Sequence, residues 1–228
     1  MAAASRHAPV LVWDWPTRSF HWLLAFSFVV AFVTAETERW RLLHITMGYT
    51  AGGLVLFRLL WGAFGSRHAR FSAFVRKPAA VRQYLHSLWR GAPEHHAGHN
   101  PAGAVAVVLM LALGLLVPLT GWLLYNDVGG EFFEEVHEVL GNAWLAVVLV
   151  HVGGVVVASV LHRENLARAM FTGRKRAAAG DGIPHAASAV AWLLLAAVLG
   201  FWGWQWQQAP APLTNTAPTA GDAQKDDD

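Results

Sequence analysis

The side chains best able to do chemistry are histidines, twelve of them in 228 residues, in a chain with no cysteine. His137 and His151 stand fourteen positions apart in the stretch Glu131 to Arg163, and Val139 to His162 within it carries no formal charge. Such a run is long enough to cross a bilayer as a helix. At about 100° per residue the second imidazole falls within roughly 40° of the first, about 21 Å further along the axis. Two imidazoles on one face at opposite depths can each supply half of a two-ligand metal site, such as the axial pair of a haem iron. The other halves must come from other helices.

Composition says what those helices are. The chain is 55% hydrophobic and only 14% charged, with twelve tryptophans and mean hydropathy +0.35. A soluble domain is about 25% charged, so this deficit and several long uncharged runs indicate a polytopic membrane protein. Without cysteine, thiolate zinc sites, iron–sulfur clusters, c-type haem attachment and disulfides are all excluded, leaving histidine or methionine to hold any metal. The pI near 9.3 comes from arginines concentrated in two loops and reports topology rather than binding of nucleic acid. No glycine-rich phosphate loop, internal repeat or separate soluble domain is evident.

Apolar runs place helices at about 19–35, 42–64, 102–125 and 137–161, with a fifth at 186–206. The Trp13-Asp14-Trp15-Pro16 knot precedes the first run, and Pro16 suggests a helix start at the membrane surface. The first run also has signal-peptide features, but His21 inside it argues for a retained helix. Ser72 to Arg90 reads as a surface amphipathic helix, and Asn126 to Glu135 as a loop with four acids and no Lys or Arg. Trp202, Trp204 and Trp206 suit an interfacial belt, and 207–228 reads as a disordered tail. The loops after helices two and four are basic and the loop after helix three is acidic, so the N-terminus is expected to be cytoplasmic and the C-terminus periplasmic.

This orientation sorts four histidines into two layers. His21 and His151 lie in the cytoplasmic half, and His44 and His137 near the outer face. Each layer offers two neutral imidazoles from different helices, as a six-coordinate haem iron requires. An intramembrane imidazole without a partner is costly, so four matched in depth point to function rather than to isolated packing. His44, Gly48 and Gly52 share a face, leaving room for a flat macrocycle or, alternatively, for helix–helix packing. Arg58, fourteen residues after His44, could pair with haem propionates or snorkel to the interface, and Arg18 could serve a propionate or mark the inner surface. His162 is the rival to His151 as inner ligand. His95, His96 and His99 form a loop cluster that could bind a metal adventitiously but reads as solvated, and His7, His68, His86 and His185 read as surface residues. Trp and Phe read as packing and interface residues rather than electron relays.

The runs WDWPTRSFHW, HITMGYTAGGLVLFRLLWG, GHNPAGAVAVVLML with LTGWLL, and HVGGVVVASVLHRENLARAMFTGRKR together resemble the prokaryotic cytochrome b-561 family, over about residues 10 to 177. That family includes the membrane cytochrome b subunit of Ni/Fe-hydrogenase. The resemblance implies an all-α integral membrane fold, a four-helix bundle holding two b haems. Its histidine ligands from helices one, two and four correspond here to His21, His44, His137 and His151. It further implies electron transfer between membrane quinone (ubiquinone or menaquinone) and a periplasmic c-type cytochrome or hydrogenase-like partner, in the bacterial inner membrane. The fifth helix and the acidic tail depart from the four-helix pattern and leave the partner open. The expected role is thus an electron-transfer subunit, in its enzymatic form a quinone oxidoreductase. Its rivals are a quinone-linked superoxide oxidase, with Arg39 or Arg41 guiding the anion, a histidine-based metal transporter, and an anchoring subunit that has lost haem.

Overall fold

The computed structural model describes residues 8–91, 94 and 96–208. His7, His95 and the tail from 209 onward lie outside the described residues. In chain order the elements are β1 (Ala8–Leu11), α1 (Trp15–Val33), a 3-10 turn at Glu38–Trp40, α2 (Arg41–Phe64), α3 (Phe71–Phe74), α4 (Pro78–Trp89), α5 (Pro101–Tyr125), α6 (Gly130–His162), α7 (Leu166–Thr172), β2 (Arg174–Ala177), a 3-10 turn at Ala179–Asp181 and α8 (Ser188–Gln208). Five helices, α1, α2, α5, α6 and α8, are long and apolar enough to cross a membrane. Their outward side chains are apolar, as lipid demands: on α6, Val150 is 72% and Val160 71% exposed.

The starts of the helices follow local chemistry. Asp14 caps α1, its Oδ1 accepting from the Thr17 amide at 2.8 Å, with Pro16 inside the first turn where its missing N–H costs nothing. The helix therefore begins four residues before the apolar run at Ser19. Asp14 is fully buried because its Oδ2 also accepts from Trp61 Nε1 of α2 at 3.0 Å. Asn100 caps α5 in the same way, through Gly103 N at 2.7 Å, again followed by proline. The acidic segment is not a loop to Glu135. Gly129 and Gly130 take positive φ (78° and 51°) and α6 starts at Gly130. Glu131, Glu134 and Glu135 then occupy its first turns, where the helix dipole favours anions. At 33 residues α6 extends about 50 Å, well beyond a hydrocarbon core of about 30 Å.

The expected surface helix is broken. Lys77-Pro78 interrupts it, giving the single turn α3 and the longer α4, because the residue before a proline is forced out of the helical region. A second feature was not anticipated at all. Strand β1 pairs antiparallel with β2, Ala8 opposite Ala177 and Leu11 opposite Arg174. Val12 N and Trp13 N both donate to Gly173 O (2.8 and 3.0 Å), and Ile183 N to Leu11 O at 2.8 Å. The chain before α1 is thereby clamped to the chain after α7 at one end of the bundle. That end carries the arginine-rich loops and is called the basic end below; the other is the acidic end.

The bundle is a ring. α1 packs on α2, α2 on α5 and α5 on α6, while α8 flanks α1 and α2. In lipid such packing rests on close fit rather than on hydrophobic expulsion, so small residues matter at the crossings. A Cβ at Gly114 would come within 2.8 Å of Val55 and 3.0 Å of the Trp144 indole. Trp144 is 4% exposed and meets Phe28 of α1, ring centres 4.8 Å apart, so α6 and α1 close the ring at mid-height on this aromatic pair. Of the three C-terminal tryptophans Trp202 turns inward, its indole N–H donating to Thr50 Oγ1 at 2.9 Å and docking α8 on α2, whereas Trp206 is 81% exposed.

Candidate functional site

Position 144 of α6 separates two histidines, each seven residues away. Two turns towards the acidic end stands His137, and two turns towards the basic end stands His151. Helix periodicity puts all three on one side of α6. His137 meets a histidine of another helix, and His151 lies near one.

At the acidic end His137 faces His44 of α2, ring centres 6.1 Å apart and planes at 73°. Both rings are held through Nδ1. His44 Nδ1 lies 2.8 Å from Ala31 O of α1, and His137 Nδ1 lies 3.1 Å from Val117 O and 3.0 Å from Thr120 Oγ1 of α5. Thr120 Oγ1 itself donates back to Leu116 O and Val117 O (3.0 and 2.9 Å), so it accepts from the imidazole. With Nδ1 as the donor, each neutral ring presents the Nε2 lone pair, the state in which histidine binds a metal. A metal–imidazole bond of about 2 Å on each side, plus the ring radii, puts ring centres about 6 Å apart, so the pair suits one metal ion between them.

The helices leave space beside this pair. Gly48 lies one turn from His44, and a Cβ there would meet nothing within 4 Å. Gly141 stands in the same relation to His137 and is equally open. Gly52, by contrast, packs against Pro118 at 3.0 Å, so helix contact explains Gly52 and not Gly48. Gly121 of α5 supports His137 from behind, with a Cβ there falling 3.1 Å from its Cε1.

At the basic end His21 of α1 and His151 of α6 share one electrostatic neighbourhood. His21 Nδ1 is buried without a hydrogen-bond partner among the described residues, beside the Trp22 ring at 4.9 Å. Arg58 does not reach out to solvent. It is 2% exposed, folded beneath α3 with its guanidinium over Phe71 and Phe74, Nη2 donating to Ala69 O at 2.9 Å and Nη1 left without a partner among the described residues. Arg18 is 5% exposed, stacked on Trp15 at 3.7 Å, with Nη1 donating to Phe171 O and Nε unpartnered among the described residues. His162 meets Tyr84 of α4, Nε2 lying 3.4 Å from the phenol oxygen.

Two histidines read as surface or loop residues are inside. His68 is 8% exposed, with Nε2 2.6 Å from Asp181 O. His99 leaves only an edge exposed and is walled by Trp13 and Phe74, ring centres 4.7 and 4.5 Å away, with Nδ1 closed off and unpartnered among the described residues. Burial pushes its pKa down to about 3, helped by the nearby charges of Arg58 and Lys175. Burial likewise lowers the pKa of Lys175, against the opposing pull of Glu164. The position of His99 directly before the Asn100-Pro101 helix start was the available signal, since a helix cap fixes its neighbours against the bundle. Gly141 could have been found as the counterpart of Gly48. His86 and His185 are exposed. Among the described residues no three His, Asp or Glu side chains converge as a site for a bare metal ion.

The sequence profile described as prokaryotic cytochrome b561 matches residues 12–173, more than half of the chain. Similar proteins include the probable Ni/Fe-hydrogenase B-type cytochrome subunits of Rhodobacter capsulatus (23% identical, covering 75% of this chain and 82% of that protein) and Azotobacter vinelandii (26%, covering 74% and 89%). That of Azotobacter chroococcum is 27% identical over 55% of this chain and 63% of its own length. No solved structure matches. With five membrane-length helices, paired intramembrane histidines and this match, the chain belongs to the prokaryotic cytochrome b561 family, multi-pass membrane cytochromes of b type whose cofactor is haem b and whose work is electron transport.

Proposed function

We propose that this chain is a transmembrane di-haem conduit that carries electrons between membrane quinone and a periplasmic redox protein. The observation that carries this reading is the His44–His137 couple at one end of the bundle, rings 6.1 Å apart with both Nδ1 atoms engaged, with His21 and His151 close enough at the other end to act on one another by charge. His44 and His137 are the axial ligands of one haem, and His21 and His151 of the other. Bound haem b supplies one-electron redox chemistry between ferric and ferrous iron.

The chain's own groups fit this task. Neutral imidazoles match the charge that haem iron accepts from bis-histidine ligation. Ala31 O, Val117 O and Thr120 fix the acidic-end rings in one tautomer, as outer partners of metal-binding histidines do. Gly48 and Gly141 leave a planar group room, and Arg58 and Arg18 offer buried, part-unpartnered guanidinium N–H groups to propionates. The Phe28–Trp144 closure keeps water from the middle of the bundle. An apolar recess beside Arg18, lined by Trp15, Trp22, Leu23, Met170 and Phe171, suits the ring of a quinone at the basic end.

Orientation follows the arginine-rich loops, which put the basic end in the cytoplasm and the acidic end in the periplasm of the bacterial inner membrane. Glu131, Glu134 and Glu135 at the outer start of α6 would steer a basic partner by charge. The names of the relatives favour a hydrogenase-like partner; a c-type cytochrome fits the same acidic surface. The deciding experiment is a reduced-minus-oxidised absorption spectrum with a pyridine haemochrome count on the purified chain. Two b haems per chain are expected, and none would end the conduit reading.

A further inference from the structure

We propose that His99, Lys175 and Arg58 build one buried carboxylate-binding chamber at the basic end of the bundle, occupied by the propionates of the haem held there. This rests on the di-haem reading above and extends it to two residues that no motif assigns.

Three separate elements bring the chamber together. Arg58 comes from α2, His99 from the turn before α5, and Lys175 from β2, the strand that clamps the N-terminal segment. The charges of Arg58, Lys175 and His151 all act on His99, whose ring shares the Phe74 wall with the Arg58 guanidinium. Trp13 and Phe74 wall the His99 ring, and Phe71 and Phe74 underlie the Arg58 guanidinium. Lys175 Nζ donates to His96 O at 2.9 Å and Gly98 O at 3.5 Å, tying the strand to the loop that carries His99.

The donor count is what calls for an anion. An ammonium has three N–H groups and a guanidinium five, and neither can accept. Among the described residues Arg58 Nη1 and His99 Nδ1 have no partner. The two carboxylates whose charges act on these cations are already engaged, Asp14 accepting from Thr17 N and Trp61 Nε1 and Glu164 from Arg176 N. Arg58 is buried and Lys175 half-buried, neither in a salt bridge among the described residues, and a neutral imidazole at Nδ1 can donate beside them. A carboxylate, with two oxygens and several lone pairs, meets all three groups at once. A free inorganic anion has the same chemistry, so the test must separate the two sources.

The experiment uses the purified holoprotein and two variants on different elements, His99→Phe and Lys175→Met, with the exposed Lys77→Met as control. Haem transfer to apomyoglobin and a spectroscopic redox titration are both recorded. In each variant one haem is expected to leave about tenfold faster, the loss of one charge-assisted hydrogen bond. In Lys175→Met its midpoint potential should also fall, because a positive neighbour favours the reduced haem, while the other haem and the control stay as in the wild type. Unchanged release and unchanged potentials in both variants, with two haems present, would overturn the chamber and leave the conduit standing. If inorganic phosphate raises the thermal midpoint of the wild type, and His99→Phe abolishes that rise without altering haem release, the chamber holds a free anion and the propionate assignment fails. A wild type that carries no haem would sink the conduit instead.

Discussion

The two histidine layers solve different problems. At the acidic end every imidazole has its second nitrogen tied to a carbonyl or a threonine, and glycines flank the pair. At the basic end His21 Nδ1, Arg58 Nη1, Arg18 Nε and His99 Nδ1 are all buried and unpartnered among the described residues. The first layer is finished by the chain itself. The second leaves those polar atoms unmet by the described residues, at a cost of about 1–3 kcal/mol each. On the proposed reading, haem would stabilise the acidic layer through coordination, and the basic layer through coordination and hydrogen bonding together.

The comparison can be broken most directly at the ligands. His21→Ala or His151→Ala should remove the basic-end haem alone, and His44→Ala or His137→Ala the acidic-end haem alone, each halving the haemochrome count. Loss of both haems from every single variant would mean the two layers are not independent. Next in size, Gly121→Val places a branched side chain where even a Cβ comes 3.1 Å from His137, and should displace that ring. Overpacking of this kind costs about 1–3 kcal/mol and should appear as loss of the acidic-end haem with the other retained.

A pH titration sharpens the contrast at the basic end. The His99 pKa in the fold is held at about 3, below the ordinary 6.5, so the unfolded chain takes up that proton first. The stability this gives is full above pH 6.5 and is lost progressively as pH falls towards 3, at up to about 1.4 kcal/mol per pH unit. Thermal unfolding in detergent between these limits should show a steep acid loss in the wild type and a shallower one in His99→Phe. The smallest effect belongs to Thr120→Val. It removes one of two acceptors at His137 Nδ1 while Val117 O remains, and should weaken acidic-end haem retention by about 1 kcal/mol, measured as release to apomyoglobin. A loss as large as that of His137→Ala would mean the threonine, rather than the carbonyl, fixes the tautomer.

Much of this was legible in the residues. A fourteen-residue spacing on a charge-free helix puts His137 and His151 on one face whatever surrounds them, because helix geometry is local. The same holds for Gly48 beside His44. The match in depth also pairs His44 with His137 across two helices, as the structure does; what failed were the readings of loop and terminal residues, whose surroundings no period reveals. His68 and His99 read as surface residues, since a loop histidine has no periodicity to betray its burial. Arg58 read equally well as a snorkelling cation, and only the fold of α3 over it distinguishes the two. Trp202 belonged to an aromatic belt in sequence and to a helix contact with Thr50 in space.

The sequence by itself settled the five long apolar helices, the two depths of histidine and the family, because hydropathy, helical pitch and motif are properties of contiguous residues. Tertiary structure alone decided which carbonyls hold the His44 and His137 rings, that Trp144 and Phe28 close the middle, and that the β1–β2 clamp helps gather Lys175, His99 and Arg58 at one end. Those are contacts between residues tens to more than a hundred positions apart. Their partners are chosen by packing and by the cost of burying an unmatched donor, and no local pattern encodes that choice.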